Sequence, residues 1–118
     1  MPERLRIGLL SAAHVHADGY APILASMADV ELIGLADPDR TRGEAFARAN
    51  GLAYLGDREE MLDRHPEAVV VTSENARHRE DVEACAASGI HVLCEKPLAP
   101  GAADARAIVD ACDRRACC

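Results

Sequence analysis

The chain has 118 residues, 49% hydrophobic and 28% charged, with 20 acidic against 13 basic side chains and a formal net charge of −7. That is apolar content for one core and too little chain for two ordinary domains. The negative balance disfavours phosphate backbones and anionic membrane surfaces, and with only Tyr20, Phe46 and Tyr54 aromatic there is no stacking platform for single-stranded nucleic acid.

Met1-Pro2-Glu3-Arg4 leads into a strand-like run with no signal-peptide core, and no stretch approaches the roughly 18 apolar residues of a membrane span, so the chain reads as cytoplasmic. Leu5 to Leu10 forms the first strand. Residues from about His16 to Met27 place Tyr20, Ile23, Leu24 and Met27 on one helical face. Val30 to Ala36 is the second strand. Asp37-Pro38-Asp39 opens a helix running to about Asn50, with Gly51 as its stop. Ala53-Tyr54-Leu55 is a short third strand. Asp57-Arg58-Glu59-Glu60 has capping-box spacing and starts a helix through about Arg64. Ala68 to Thr72 is continuous and β-branched, as a strand buried on both faces should be. A helix from about Asn75 to Ser88 ends at Gly89, Ile90 to Cys94 is the fifth strand, and an Ala-rich helix covers about Ala102 to Asp113.

Strands alternating with helices through short connections imply a parallel α/β sheet covered on both faces. The doubly wound arrangement fits, with five strands in the order 3-2-1-4-5. Ligands of such sheets bind at the carboxyl ends of the strands, so the residues just after each strand carry the functional reading.

After strand one comes Ser11-Ala12-Ala13-His14-Val15-His16-Ala17, where a dinucleotide fold has Gly-x-Gly-x-x-Gly. Ser11 and Ala13 are small but not glycine, and an added methyl at Ala13 pushes a pyrophosphate outward. The loop amides can still cradle a phosphate. His14 and His16 are open to three readings: ordinary loop histidines, donors to phosphate or ribose, or a metal pair lacking a nearby third ligand. Asp37 ends strand two at the spacing of an acid that accepts from the adenosine ribose hydroxyls, which favours NAD over NADP. Its alternative is a helix cap, and Arg40 and Arg42 lie close enough to soften the preference. After strand four, Ser73 or Asn75 is an N-cap, or Asn75 and His78 share an edge of the cofactor cleft at i and i+3.

Strand five ends in Cys94-Glu95-Lys96-Pro97. Every basic residue except Lys96 is Arg, and this single ammonium falls at a strand end beside Glu95, fixed by Pro97. There it can orient a substrate, hold a carboxamide or lower the pKa of a hydroxyl. Cys85 and Cys94 sit singly in apolar runs, and Cys112, Cys117 and Cys118 lack a metal-ligand spacing, so no metal is expected.

Together these strand-end residues resemble the N-terminal NAD(P)-binding, Rossmann-type domain of the Gfo/Idh/MocA oxidoreductases over about Arg4 to Asp113. Glu95-Lys96-Pro97 matches the family's Glu-Lys-Pro signature. Ser73-Glu74-Asn75-Ala76-Arg77-His78 is similar to its Thr-Pro-Asn-x-x-His segment, with Ser73 for Thr and Glu74 for Pro. Asp37 looks like the ribose-binding acid, and Ser11 and Ala13 depart from the glycine loop. The resemblance implies hydride transfer between NAD, or NADP, and a sugar or polyol hydroxyl, with Lys96 as the catalytic residue beside the nicotinamide. It also implies a second domain that brings the acid–base pair, the substrate pocket and the oligomer sheet. Residues 1–118 are then expected to be a cofactor domain without its sixth strand and substrate domain, a fragment inactive alone. Its last strand would be an open edge inviting self-association. The competing expectation is a non-catalytic nucleotide-binding or regulatory module, favoured by the altered glycine loop.

Overall fold

A computed structural model describes residues 4–13, 17–94 and 101–115, with the side chains of Asn75 and Arg115 excepted. Strands β1 (Leu5–Leu10), β2 (Val30–Ala36), β3 (Ala68–Val71) and β4 (His91–Cys94) form a parallel sheet in the order β2-β1-β3-β4. The helices are α1 (Ala17–Ser26), α2 (Arg40–Asn50), α3 (Arg58–Leu62), α4 (His78–Ala87) and α5 (Ala102–Arg115).

Alternation along the strands divides the core between the two faces of the sheet. Ile7 and Leu9 of β1 pack with Val70, Leu35, Val30 and Ala21, and Tyr20, Leu24 and Phe46 of α1 and α2 close that layer. Leu10 turns the other way with Val69, Val71, Met61 and Cys85, beneath α3 and α4. Burying each large aliphatic side chain contributes about 1.5–3 kcal/mol, so this two-faced burial fixes the strand register.

Helix starts follow local chemistry. The Asp39 side chain accepts from the Arg42 amide at 3.1 Å and caps α2, and that of Asp57 accepts from the Glu60 amide at 3.0 Å and caps α3. Gly51, at φ 66°, ends α2 by offering its N–H to the last carbonyls.

One element differs from the sequence pattern. The expected third strand, Ala53 to Leu55, survives as a single parallel bridge between Tyr54 and Leu35. The Leu35 amide donates to Ala53 at 2.9 Å and the Leu55 amide to Leu35 at 2.8 Å. Gly56, at φ 89°, then turns the chain away before a ladder can extend. The observed order is thus the expected 3-2-1-4-5 with its outermost strand reduced to one bridge. Helix boundaries also shift: α3 stops at Leu62, α5 runs on to Arg115, and a 3₁₀ turn over Asn75–Arg77 precedes α4, so the α-helix proper begins at His78.

The register slips between β1 and β2, where Ile7 faces Leu32 and Gly8 faces Gly34. Ile33 is the extra residue of this bulge. Gly34 takes φ 147°, and a Cβ there would lie 2.6 Å from the Ala53 carbonyl oxygen. Glycine at this position lets the Tyr54 segment approach β2.

Candidate functional site

The carboxyl ends of β1, β2 and β3 are knotted together by polar groups. Ser11 follows β1 in the left-handed region at φ 75°. Its amide donates to the Ala36 carbonyl at 2.7 Å, and its carbonyl accepts from the Thr72 hydroxyl at 2.6 Å. One residue thereby ties all three strand ends. Its own hydroxyl accepts from the Ala13 amide at 3.1 Å and lies 3.4 Å from Asp37 Oδ2.

Asp37 is fully buried. The Ala12 amide donates to Oδ2 and the Asp39 amide to Oδ1, each at 2.8 Å. Arg42 closes on both oxygens as a fork, Nε to Oδ2 at 2.9 Å and Nη2 to Oδ1 at 2.8 Å. The Tyr54 hydroxyl fixes the Asp37 carbonyl at 2.7 Å. Burial alone raises this carboxyl, but the Arg42 fork and the two amides outweigh it and hold it below the usual carboxylate range. Asp37 stands where the spacing placed it, but it does not cap α2, because that position belongs to Asp39. Its carboxylate is already saturated with donors.

At the end of β3, Ser73 and His78 turn inward. The Ser73 hydroxyl donates to Asp81 Oδ2 at 2.6 Å, and Arg58 Nη1 donates to Asp81 Oδ1 at 2.9 Å. Neither Ser73 nor Asn75 caps α4; its N-cap is Arg77, without a side-chain bond. His78 is fully buried, and its Nε2 lies 3.0 Å from the Ser73 carbonyl. A carbonyl only accepts, so Nε2 carries the proton. His78 therefore braces the loop after β3 from behind. Asp81 sits on the buried stripe of α4, and burial pushes its carboxyl up against the opposing pull of Ser73 and Arg58. Arg58 thus clips α3 to α4 under the strand ends.

A recess opens above this knot, bounded by Ser11, Pro38, Ser73, Arg77 and Glu80. The structure brings Ser11, Ala13, Asp37 and Ser73 to this end of the sheet, with Asn75 in the adjoining 3₁₀ turn. His14, His16, Glu95, Lys96 and Pro97 lie outside the described residues. Arg58 and Asp81 escaped the sequence reading. Their one signal was an acid at the i+3 place of the stripe His78, Asp81, Val82, Cys85, because an acid on a buried stripe needs a cation. Among the described residues no helix is long and apolar enough to cross a membrane.

Comparison with known proteins places this geometry. The Gfo/Idh/MocA family model, described as an oxidoreductase family with an NAD-binding Rossmann fold, matches residues 6–118. The chain is 34% identical to the inositol 2-dehydrogenase of Streptomyces avermitilis over 113 residues, which cover 94% of this chain and 33% of that protein. It is 33% identical to inositol 2-dehydrogenase 1 of Saccharopolyspora erythraea over 108 residues, 89% of this chain and 32% of that one. Among solved structures it is similar to the WlbA dehydrogenase of Bordetella pertussis in complex with NADH and UDP-GlcNAcA. That match has a TM-score of 0.87 at 25% identity, covering 98% of this chain and 35% of that one. The chain spans about a third of the length of the relatives it matches.

Proposed function

Since the chain belongs to the Gfo/Idh/MocA oxidoreductase family, as its NAD-binding Rossmann domain, we propose that it supplies the cofactor half of a dehydrogenase acting on a sugar or polyol hydroxyl. The carrying observation is the convergence of the Ser11 turn, Asp37 and Ser73 at the carboxyl ends of neighbouring parallel strands. The residues present fit a dinucleotide at the turn itself. Ser11 adopts the left-handed backbone that lets a tight turn leave β1, so the turn is kept without glycine.

When bound, NAD supplies the acceptor for hydride; everything else falls to the chain. The start of α1, with its N-terminal amides, would hold the pyrophosphate. The amides of Ala12 and Ala13 are committed to Asp37 and Ser11, so phosphate contact would fall to other donors of the loop, for which the sequence offers His14 and His16. At the end of β2, the exposed side of Arg42 would face the adenosine ribose, with Asp37 buried behind it. Ser73 and Asn75 border the cleft from the end of β3, with His78 as the brace behind them. Lys96, two residues beyond the end of β4 and flanked by Glu95 and Pro97, orients the reacting hydroxyl and stabilises its alkoxide by charge. Acid–base catalysis and substrate selection come from polypeptide beyond this domain, and the edge of β4 would seat self-association only where no further strand pairs with it.

Titration of the 118-residue chain with NADH, read by nucleotide fluorescence, tests the assignment. Saturable binding in the micromolar to millimolar range without polyol oxidation is expected. No binding at millimolar NADH refutes the cofactor role. Turnover of a polyol by these residues alone refutes the division of labour.

A further inference from the structure

We propose that Glu74 is a specificity-determining residue, whose carboxylate guards the open side of Arg42 and sets the site against a dinucleotide bearing an extra phosphate on the adenosine ribose. The proposal rests on reading the strand ends as a dinucleotide site. In sheets of this kind the acid at the end of the second strand discriminates, by accepting from ribose hydroxyls and repelling a 2′-phosphate. Asp37 cannot repel in that way here. It has no exposed surface, and the Arg42 fork neutralises its charge.

What this strand end presents is the outer side of Arg42. Its side chain is 34% exposed, so part of the guanidinium faces solvent although its Nε and Nη2 hold Asp37. A guanidinium in this position would draw a phosphate, so Arg42 alone would favour the phosphorylated dinucleotide. Glu74 reaches over from the end of β3, with Oε1 3.6 Å from Arg42 Nη2. It is an internal anion beside the guanidinium that an incoming phosphate would seek.

The surrounding charges leave that effect standing. Arg77 lies 3.3 Å from Glu74 Oε2, but it also faces Glu80 at 3.5 Å, so its charge is shared between two acids. Asp39 adds a further acid on the α2 side, where it accepts from the Arg42 amide. Acids therefore outnumber bases around the position. Removing the Glu74 charge uncovers Arg42 and favours the phosphorylated dinucleotide selectively.

The test measures dissociation constants for NADH and NADPH on the full chain, on Glu74→Gln, and on Glu74→Gln combined with Arg42→Ala. Glu74→Gln is expected to tighten NADPH by about two- to fivefold, the range of one half-exposed ion pair, and to change NADH by less than about 1.5-fold. The gain for NADPH should vanish in the double variant. Equal tightening of both nucleotides, no change in either, or a gain that persists without Arg42 overturns the proposal while leaving the dinucleotide reading intact. Failure of wild type to bind either nucleotide overturns both.

Discussion

Arg42→Ala strips the guanidinium from a carboxylate that has no access to water. Asp37 then keeps the amides of Ala12 and Asp39 and the longer contact to Ser11. Removing one partner of a fully buried ion pair costs about 3–5 kcal/mol. Arg42 is a third exposed, so water enters the vacated space, and the two remaining amides still serve the carboxylate. A loss of about 2 kcal/mol at pH 7 is the expected result. The sign of its pH dependence follows from Asp37, whose folded carboxyl titrates below 3.8. A carboxyl depressed on folding stabilises the native state above its unfolded pKa, and that stability is lost as pH falls through the folded one. Without Arg42 the depression shrinks, so the penalty should be full near pH 7 and fade as pH drops below about 3.8. Urea unfolding of wild type and variant from pH 7 down to pH 3 reads both quantities. A penalty under about 0.5 kcal/mol at pH 7, or one indifferent to pH, would refute the assignment of Arg42 as the group that holds Asp37 ionised.

Asp81 should respond to pH in the opposite sense. Its carboxyl is raised on folding, so its contribution is fully present below its unfolded pKa and is lost as pH rises through the folded value. Asp81→Asn is expected to cost under about 1 kcal/mol at pH 7, because Arg58 keeps Glu59 at 3.1 Å. Its cost relative to wild type should grow as pH is lowered toward 4, and the same urea series measures it. Gly34→Ala meets both the Ala53 carbonyl and a backbone at φ 147°, so a loss of at least about 3 kcal/mol, or failure to fold, is expected by chemical denaturation.

The layout of the strand ends was legible because it depends on local pattern. Continuous apolar strands such as Val69-Val70-Val71 require cover on both faces, and Asp39, Asp57 and Gly51 mark helix limits by backbone chemistry alone. The third strand was less so. Ala53 to Leu55 carries strand-like residues, but its extent is decided by the bulge at Ile33 and the turn at Gly56, both properties of the neighbouring chain.

The roles of the polar residues were the least legible part, for a different reason. Spacing placed Asp37, Ser73 and His78 at the right end of the sheet, yet each proved to be engaged by a partner from another element. Arg42 holds Asp37, Asp81 holds Ser73, and His78 holds the Ser73 carbonyl. Buried polar groups must be satisfied, and the partner that satisfies them is chosen only once the elements pack. These bonds fix the backbone and side chains at the strand ends. On the proposal above, discrimination falls to the charges left facing outward, chiefly Glu74 and Arg77 and the outer side of Arg42, whose ion pairs with one another are half-exposed and exchangeable. A pair of stability series and a pair of nucleotide titrations separates these classes. Wall residues such as Asp81 should move stability and both affinities together, whereas Glu74 should move the ratio of affinities with little change in stability.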